Sequence, residues 1–215
     1  MERVTVFIDG LNFYYGLKRK MVLDSDWRKF YWLDIYNLFN LFMRSYQNLQ
    51  RVYYFTTPPD NELKKQRHRA LLNANVLLNG NKFRYVFGKY IEKTLICPEC
   101  GSQYTVPEEK RTDVNISVHM MGDCAKNNTD TLILVTADSD LIPTLKYIRN
   151  NHPEKKVKVF FPPTGFSNDI NSYVKNYNER VIMLDHNKGK FLSSIMPDTV
   201  SVGTNFVTIP SEWQV

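Results

Sequence analysis

Short β-rich segments alternate with predicted helices along most of the chain, and this alternation restricts the fold more than any other feature. The β-rich segments are residues 4–9, 51–59, 83–91, 131–136, 156–163 and 180–185. Apolar residues at helical spacing over 33–46, and a Thr suited to a helix cap at the start of 112–127, predict helices between them. Strands that alternate with helices are typical of a parallel sheet. The sequence therefore predicts an α/β fold, in which an open parallel sheet is flanked by helices.

The domain organisation follows from the length and from the lack of internal boundaries. A chain of 215 residues is long enough for one domain with an extension. The sequence contains no internal repeat and no low-complexity linker, so residues 1–185 are predicted to form a single domain. An insertion containing the sequence CPECG is predicted at about 94–108. Residues 186–215 are predicted as an irregular extension that packs on the domain or contacts the substrate.

The composition is that of an ordinary globular protein. Hydrophobic residues make up 43% of the chain and charged residues 23%, which predicts a packed core. The first residues, MERVTVFID, lack the basic start and apolar run of a secretory signal, and the longest apolar runs are too short to span a bilayer. Three cysteines are too few, and odd in number, for a disulfide-framed secreted fold. We therefore expect a soluble cytoplasmic protein that makes no membrane contact.

Positive charge is concentrated in one part of the sequence. The formal net charge is +6, and residues 60–93 contain eight Lys or Arg against three acids. Phe83, Tyr85, Phe87 and Tyr90 are interleaved with these basic residues. Cations together with aromatic faces suit the backbone and the unstacked bases of a nucleic acid. The alternative interpretation is a solvated basic helix followed by a strand with an aromatic core face.

Six basic residues are the specific candidates for contact with a nucleic acid. Four of them cluster on the helix predicted over residues 61–79, and two precede the predicted helix that begins at residue 112. They are Lys64, Lys65, Arg67, Arg69, Lys110 and Arg111.

Four aspartates are predicted to meet at one edge of the sheet. Asp9 ends the first strand, Asp138 and Asp140 follow the fourth, and Asp113 opens the helix that leads into the fourth strand. Sites in open α/β sheets form outside the carboxyl ends of the strands, where the strand order reverses. Carboxylates brought together there repel one another, which raises their pKa values or favours a bound hard cation. Ligands that are all oxygen favour Mg²⁺ or Mn²⁺.

Each aspartate also has a purely structural interpretation. Asp113 is placed to complement the N-terminus of a helix, and Asp138 or Asp140 is placed to cap the helix that begins near Leu141. Asp9 is followed by Gly10, a pair that is common in turns. Thr136 and Ser139 either orient ligands or water at the site or satisfy local backbone groups.

Three segments together resemble the motifs of the NYN domain family, PIN-like nucleases of the LabA/DUF88 group. The segments are VFIDGLN near the start, KRTDVNISV in the middle and LVTADSDLIP later in the chain. In order and spacing the resemblance covers about residues 3–185. It implies a PIN-like sheet and metal-dependent hydrolysis of phosphodiester bonds, usually those of RNA.

The resemblance also implies roles for individual residues. By position, Asp9, Asp113, Asp138 and Asp140 are the acidic cluster that binds the metal and carries catalysis. Asn12 is the polar partner near the metal, or alternatively a cap of the first helix. Ala137 replaces a common Gly. Many members carry an acid six residues beyond the helix-opening Asp, where this sequence has His119.

The cysteine pair in CPECG forms a knuckle of the kind found in zinc ribbons. A structural zinc site requires four ligands, and Cys97 with Cys100 supplies two. Cys124 lies on a predicted helix and is suited to burial as a small hydrophobic residue. The alternatives are a hairpin with free thiols, a zinc site at Cys97 and Cys100, and a site shared across a homodimer.

The leading functional prediction is an endoribonuclease that uses Mg²⁺ or Mn²⁺ to cleave single-stranded or structured RNA. In this mechanism the metal polarises the scissile phosphate and lowers the pKa of an attacking water. A second hypothesis is a catalytically inactive adaptor of the same fold that binds nucleic acid. A third is a phosphotransferase or phosphatase. That class carries motifs such as Asp-x-Asp-x-Thr, whereas here Asp138 and Asp140 are followed by Ile142.

Overall fold

The computed structural model describes residues 1–214 of the chain and contains a central parallel sheet with helices on both faces. The strands are β1 (Glu2–Asp9), β2 (Gln47–Thr56), β3 (Phe83–Phe87), β4 (Lys89–Ile96), β5 (Gln103–Lys110), β6 (Thr131–Val135), β7 (Lys156–Phe161), β8 (Ile182–Met183), β9 (Thr199–Val202) and β10 (Asn205–Thr208). The helices are α1 (Gly10–Leu23), α2 (Ile35–Asn40), α3 (Glu62–Asn79), α4 (Thr112–Ala125), α5 (Ile142–Asn151), α6 (Asn168–Lys175) and α7 (Lys188–Leu192). The predicted α/β class is confirmed.

The strand order of the six-stranded sheet is β3-β2-β1-β6-β7-β8, and every neighbouring pair is parallel. From β1 the chain passes to β2 and β3 on one side and later fills the other side with β6, β7 and β8. The order therefore reverses between β1 and β6, and the two strands run in register from Val4 opposite Thr131 to Ile8 opposite Val135. Such a reversal opens a crevice at the carboxyl ends of the two strands.

Two hydrophobic cores, one on each face of the sheet, hold this crevice in place. On β1, Val6 and Ile8 point into the core that α1, α2 and α3 cover, whereas Phe7 points into the core covered by α4, α5 and α6. All three side chains are fully buried. Burial on both faces explains the continuous apolar sequence of the central strands, because parallel strands covered on both sides do not alternate with polar residues.

Two predicted elements differ from the structure. The helix predicted over 33–46 is only α2, Ile35–Asn40, because Leu33 instead forms a bridge with Ile195 and the segment before β2 turns. The strand predicted over 83–91 is divided at Gly88 into β3 and β4. A Cβ on Gly88 would lie 2.6 Å from the side-chain oxygens of Thr57 and Glu109, so the backbone passes there too closely for a side chain.

Strands β4 and β5 form an antiparallel hairpin that contains the predicted insertion. Cys97 and Cys100 lie at its tip, and Cys124 is buried in α4. At the base of the hairpin, Tyr90 pairs directly with Glu109 in the strand register. The hairpin thus carries the cysteine pair away from the sheet and brings these two residues towards it.

The segment after β8 packs against the domain core. It contains α7 and the antiparallel pair β9 and β10, in addition to irregular stretches. Val200, Ile209 and Trp213 join the core on the face covered by α1, α2 and α3. Val215, the last residue of the predicted extension, lies outside the described residues. Within residues 1–214, every helix is too short or too polar to cross a lipid bilayer.

Candidate functional site

The carboxyl ends of β1 and β6 border an open cavity of about 340 Å³, which we call the acidic cavity. Its lining combines four carboxylates with one guanidinium and several neutral side chains. The lining residues are Asp9, Leu11, Asn12, Tyr15, Arg19, Glu109, Thr112, Asp113 and Asp138. The structure therefore brings three of the four predicted aspartates, together with the predicted Asn12, to one place at the reversal of strand order.

Asp9 is the most buried of these acids, with 5% of its surface exposed. Its carboxylate accepts hydrogen bonds from the backbone N–H of Asn12 at 3.0 Å and from Thr136 Oγ1 at 3.1 Å. The first bond caps α1, which begins directly after β1 at Gly10. Burial raises the pKa of Asp9, and the negative charge of Asp138 raises it further. The two hydrogen bonds lower it, but the net shift is upward.

Thr136 connects the ends of the two central strands. Its hydroxyl donates to Asp9 Oδ2 and accepts a hydrogen bond from the backbone N–H of Asp138 at 3.0 Å. Thr136 is fully buried, so both bonds are shielded from water. The hydroxyl thus fixes the positions of two acids relative to each other. Ser139, the other predicted supporting residue, does not line the acidic cavity.

The carboxylate of Asp138 both faces the acidic cavity and caps a turn. Its side chain lines the acidic cavity, and its Oδ1 accepts the backbone N–H of Asp140 at 3.0 Å, capping the turn before α5. The catalytic and capping interpretations of the sequence therefore do not exclude each other. Asp140 is exposed and does not line the acidic cavity.

Asp113 lies in the first turn of α4 and experiences the combined charge of the cluster. Its pKa is raised to about 6, first by burial and then by the negative charges of Asp138, Asp9, Glu109 and Asp140. Asp140 therefore acts on the site through its charge, although it lies outside the cavity lining. A raised pKa at Asp113 means that ionising the whole cluster is unfavourable without a compensating cation.

The pH dependence of stability provides a test of the raised pKa of Asp113. Because the pKa of Asp113 is raised from 3.8 to about 6, the folded state retains a proton that the unfolded chain has already released. Stability from this group is therefore fully present at pH values below about 4 and is lost as the pH rises through 6. We expect Asp113→Asn to be more stable than the wild type at pH 7, and this advantage to be clearly smaller at pH 5.

Urea unfolding of metal-free protein at both pH values measures this difference, and Asp169→Asn, an exposed acid in α6, serves as the control. If the free energy of unfolding changes equally between pH 5 and 7 in the wild type and in Asp113→Asn, the pKa of Asp113 is not raised.

Glu109 is an acid of the cavity that the sequence analysis did not identify. Its Oε1 accepts the backbone N–H of Thr112 at 3.2 Å and the hydroxyl of Thr57 at 3.3 Å, and it also accepts the hydroxyl of Thr112. Glu109 therefore caps α4 while it faces the acidic cavity. An acid three residues before a predicted helix start is a signal that the sequence does contain. Glu109 also belongs to a hairpin, however, and the local sequence does not show where that hairpin packs.

His119, at the position where the resemblance implied an acid, does not take the place of a carboxylate in the site. Its ring packs against Tyr53 and Phe55, with centroids 5.0 and 5.4 Å apart. Burial lowers the pKa of His119, which favours the neutral ring. Asp123, further along α4, is buried and accepts a hydrogen bond from Asn128. The additional carboxylate at this site is Glu109.

The lining of the acidic cavity suits a hydrated divalent cation better than a tightly enclosed one. Within residues 1–214, no group of three Asp, Glu, His or Cys side chains is arranged to enclose a metal ion. Mg²⁺ commonly takes one or two carboxylates and completes its shell with water and substrate phosphate. Asp113 and Asp138 fit that requirement best, because they line the cavity and are less buried than Asp9, whose carboxylate keeps lone pairs free beside them.

A second cavity, of about 140 Å³, lies beside the acidic cavity, and we call it the aromatic cavity. Its aromatic lining residues are Tyr14, Tyr15, Tyr54, Tyr90 and Trp213. Two of the predicted basic residues, Lys64 and Arg67, also line it, together with Lys18.

The other predicted basic residues lie elsewhere on the surface. Lys65 pairs with Glu62 at 3.8 Å, and Lys110 pairs with Glu108 at 3.1 Å. Arg69 and Arg111 are exposed. The structure therefore separates the six predicted residues into two that line a cavity and four that do not.

Comparisons with known proteins identify the fold and the family. The structure of a protein of unknown function from Vibrio parahaemolyticus superposes with a TM-score of 0.55 at 18% sequence identity, covering 85% of this chain and 92% of that one. This similarity concerns the fold. Over 206 residues the chain is 25% identical to 6-hydroxy-3-succinoylpyridine 3-monooxygenase HspA of Pseudomonas putida, which covers 79% of this chain and 62% of the relative.

The family follows from a match over most of the chain. The model of the NYN domain matches residues 3–182, which include all three motifs and every carboxylate of the acidic cavity. The resemblance noted in the sequence is thereby confirmed, and with it the PIN-like architecture of the sheet. The chain belongs to the NYN domain family, whose fold is nuclease-like.

Proposed function

We propose that the protein is a metal-dependent endoribonuclease that hydrolyses phosphodiester bonds of RNA at the acidic cavity. The observation that carries this proposal is the crowding of Asp9, Asp113 and Asp138 around one open cavity, with the pKa of Asp113 raised to about 6. Like charges at a strand-order reversal are relieved by a cation. Membership of a nuclease-like family supports the same reaction.

Different side chains of the acidic cavity would bind the metal, hold the neighbouring charge and contact the phosphate. Asp113 and Asp138 would hold Mg²⁺ or Mn²⁺, which when bound polarises a phosphate and lowers the pKa of a water. Thr136 and Asn12 hold the carboxylate of Asp9 through hydrogen bonds, so that its negative charge stays fixed beside the other two. Arg19, the one cation in the cavity lining, is placed to neutralise a phosphate oxygen of the substrate.

A cleavage assay on end-labelled RNA tests this proposal. Cleavage should require Mn²⁺ or Mg²⁺, stop with chelator, and be lost in Asp113→Asn but not in Asp169→Asn. RNA that is bound but not cut under all metal conditions would instead support the adaptor of the same fold. The absence of a three-ligand metal group within residues 1–214 is the observation that keeps this adaptor as the alternative.

The salt dependence of RNA binding tests which cations contact phosphate. Lys18 and Lys64 line the aromatic cavity and have no carboxylate partner among the described residues. Replacing both with Ser should lower the slope of log affinity against log salt by about 1.4, because each phosphate contact on a single strand contributes about 0.7. Filter binding across a salt series measures this slope.

The matched control for this prediction replaces Lys126 and Lys175 with Ser. These exposed residues follow α4 and end α6, so they lie near the amino ends of the strands, at the opposite edge of the sheet. A slope that falls equally in both double variants would assign the effect to net charge and remove the aromatic cavity from the RNA path.

A second candidate function comes from the name of the Pseudomonas putida relative, a monooxygenase of 6-hydroxy-3-succinoylpyridine. The observation that favours it is the size of the aromatic cavity, since apolar cavities of about 150 Å³ hold one aromatic ring. Oxygen consumption that depends on this pyridine and on a supplied reductant would support it. This chain aligns with only 62% of that relative's length.

A further inference from the structure

We propose that the aromatic cavity binds one pyrimidine base of the RNA strand and thereby places a neighbouring phosphodiester at the acidic cavity. This inference rests on the proposed ribonuclease function and adds a substrate subsite to it. It depends on the lining of the aromatic cavity, on its size and on its connection to the acids.

The lining combines aromatic side chains with cations. Tyr14, Tyr54, Tyr90 and Trp213 contribute aromatic surface, and Lys18 and Lys64 add positive charge. Bases of single strands stack on aromatic side chains, and their phosphates pair with such cations. Arg67, a further lining residue, already pairs with Glu212 at 2.6 Å, so the lysines are the cations that remain for a phosphate.

The volume favours a single ring. The aromatic cavity measures about 140 Å³. An apolar cavity of about 150 Å³ accommodates benzene, which is close in size to the ring of uracil or cytosine and smaller than a fused purine. A pyrimidine is therefore the base that the cavity admits without widening.

A buried polar atom in the wall is without a partner. His68 lines the cavity, and its Nε2 contacts Thr56 Oγ1 at 3.0 Å, whereas its Nδ1 is buried and has no hydrogen-bond partner among the described residues. Burial lowers the pKa of His68 to about 4, so the ring is neutral and one nitrogen can accept while the other donates. The Nδ1 atom is closed off from solvent, so it is an unsatisfied group behind the cavity wall and not a contact for the base.

The two cavities share a wall, so a base bound in one cavity lies next to the acids of the other. Leu11 and Tyr15 line both cavities. Tyr54 of the aromatic cavity donates its hydroxyl to the carbonyl of Gly10 at 3.1 Å, immediately after Asp9. A base held on one side of this wall keeps the adjoining backbone beside the carboxylates, and such positioning contributes strongly to reaction rates.

Quenching of tryptophan fluorescence by uridine 5′-monophosphate provides the test. Trp27 and Trp32 are fully buried in the core, so a ligand in the aromatic cavity quenches Trp213. Titrations in chelator exclude a phosphate–metal contact at the acids. We expect uridine monophosphate to quench, ribose 5-phosphate not to quench, and Trp213→Phe to abolish the signal.

The matched variants are Tyr90→Ala and Tyr104→Ala, two tyrosines of the same hairpin, of which only Tyr90 lines the cavity. Loss of one stacking partner should weaken binding of uridine monophosphate on the order of tenfold in Tyr90→Ala and leave Tyr104→Ala unchanged. Equal melting temperatures of the two variants show that the difference is not one of folding.

Several binding results would overturn the proposal. Equal binding of ribose 5-phosphate would indicate a phosphate site alone, and equal binding of adenosine monophosphate would contradict the single-ring fit. Tighter binding of 6-hydroxy-3-succinoylpyridine would indicate a small-molecule site. If RNA is cleaved in an Asp113-dependent manner but uridine monophosphate does not bind, this subsite fails while the nuclease proposal stands. If uridine monophosphate binds but RNA is not cleaved, the base-binding site stands and the nuclease proposal fails.

Discussion

Replacing Asp138 with Asn is expected to lower the rate of RNA cleavage on the order of a hundredfold or more. Asn keeps the shape of Asp and can accept the backbone N–H of Asp140, which Asp138 Oδ1 now accepts at 3.0 Å, so the cap before α5 survives. What is lost is one negative charge of the acidic cavity. A loss of about 3 kcal/mol in transition-state stabilisation corresponds to a factor of this size. Initial rates on labelled RNA with Mn²⁺ measure it.

The effect of Asp138→Asn on thermal stability should depend on whether metal is present. Without metal, removing one charge from a repelling cluster should keep or raise the melting temperature. With Mn²⁺, the wild type gains stability by mass action, about 2.7 kcal/mol at a hundred times the dissociation constant, and the variant gains less. Asp169→Asn is the control and should match the wild type. An unchanged rate together with unchanged stabilisation by Mn²⁺ would reduce Asp138 to a helix cap.

Replacing Gly10 with Ala is expected to destabilise the fold by about 2–3 kcal/mol. A Cβ at this position would lie 2.5 Å from the carbonyl oxygen of Phe55 and 2.6 Å from Cε1 of Tyr54. Both neighbours belong to β2, so α1 would have to move away from the sheet. For a domain of this size, the loss corresponds to a fall in melting temperature of about 5–10 °C.

Gly122→Ala is the matched control for this change. Gly122 lies within α4, and an added Cβ there meets no heavy atom within 4 Å. Ala is favoured over Gly in a helix by about 0.5–1 kcal/mol, so this variant should be more stable than the wild type. Thermal unfolding of both variants should thus give changes of opposite sign. A melting temperature of Gly10→Ala equal to that of the wild type would show that the strand–helix junction at Gly10 tolerates a side chain.

The sequence predicts the sheet and the meeting of the aspartates for a physical reason. Strands covered on both faces must be continuously apolar, and in parallel strands the residues that follow such runs lie at the same edge. Asp9 and Asp138 could therefore be assigned to one place before their spatial relationship was known. Thr136 was a candidate for the same reason, since it ends the apolar run of β6.

Other parts of the site depend on contacts between residues far apart in the chain. Trp213 reaches the aromatic cavity from the segment after β10, and local patterns do not specify where such a segment docks. Apolar spacing over 33–46 identifies Leu33 and Leu38 as buried, but Leu41 is exposed. Leu33 is buried through its bridge to Ile195 and not in a helix. Periodicity therefore indicates only in part which residues are inside, and the backbone conformation follows from partners that the periodicity does not identify.

The pairing of Tyr90 with Glu109 across the base of the hairpin has a consequence for how this protein can diverge. One residue borders the aromatic cavity and the other borders the acidic cavity, and both ride on the same two-stranded arm. The residues at the distant tip, 97–102, line neither cavity, so we expect changes of length or sequence there to leave both cavities intact. A change that tilts the base displaces both walls together. If the proposed function holds, changes in this arm would alter base binding and cleavage together, whereas changes near Trp213 in the C-terminal segment would alter base binding alone.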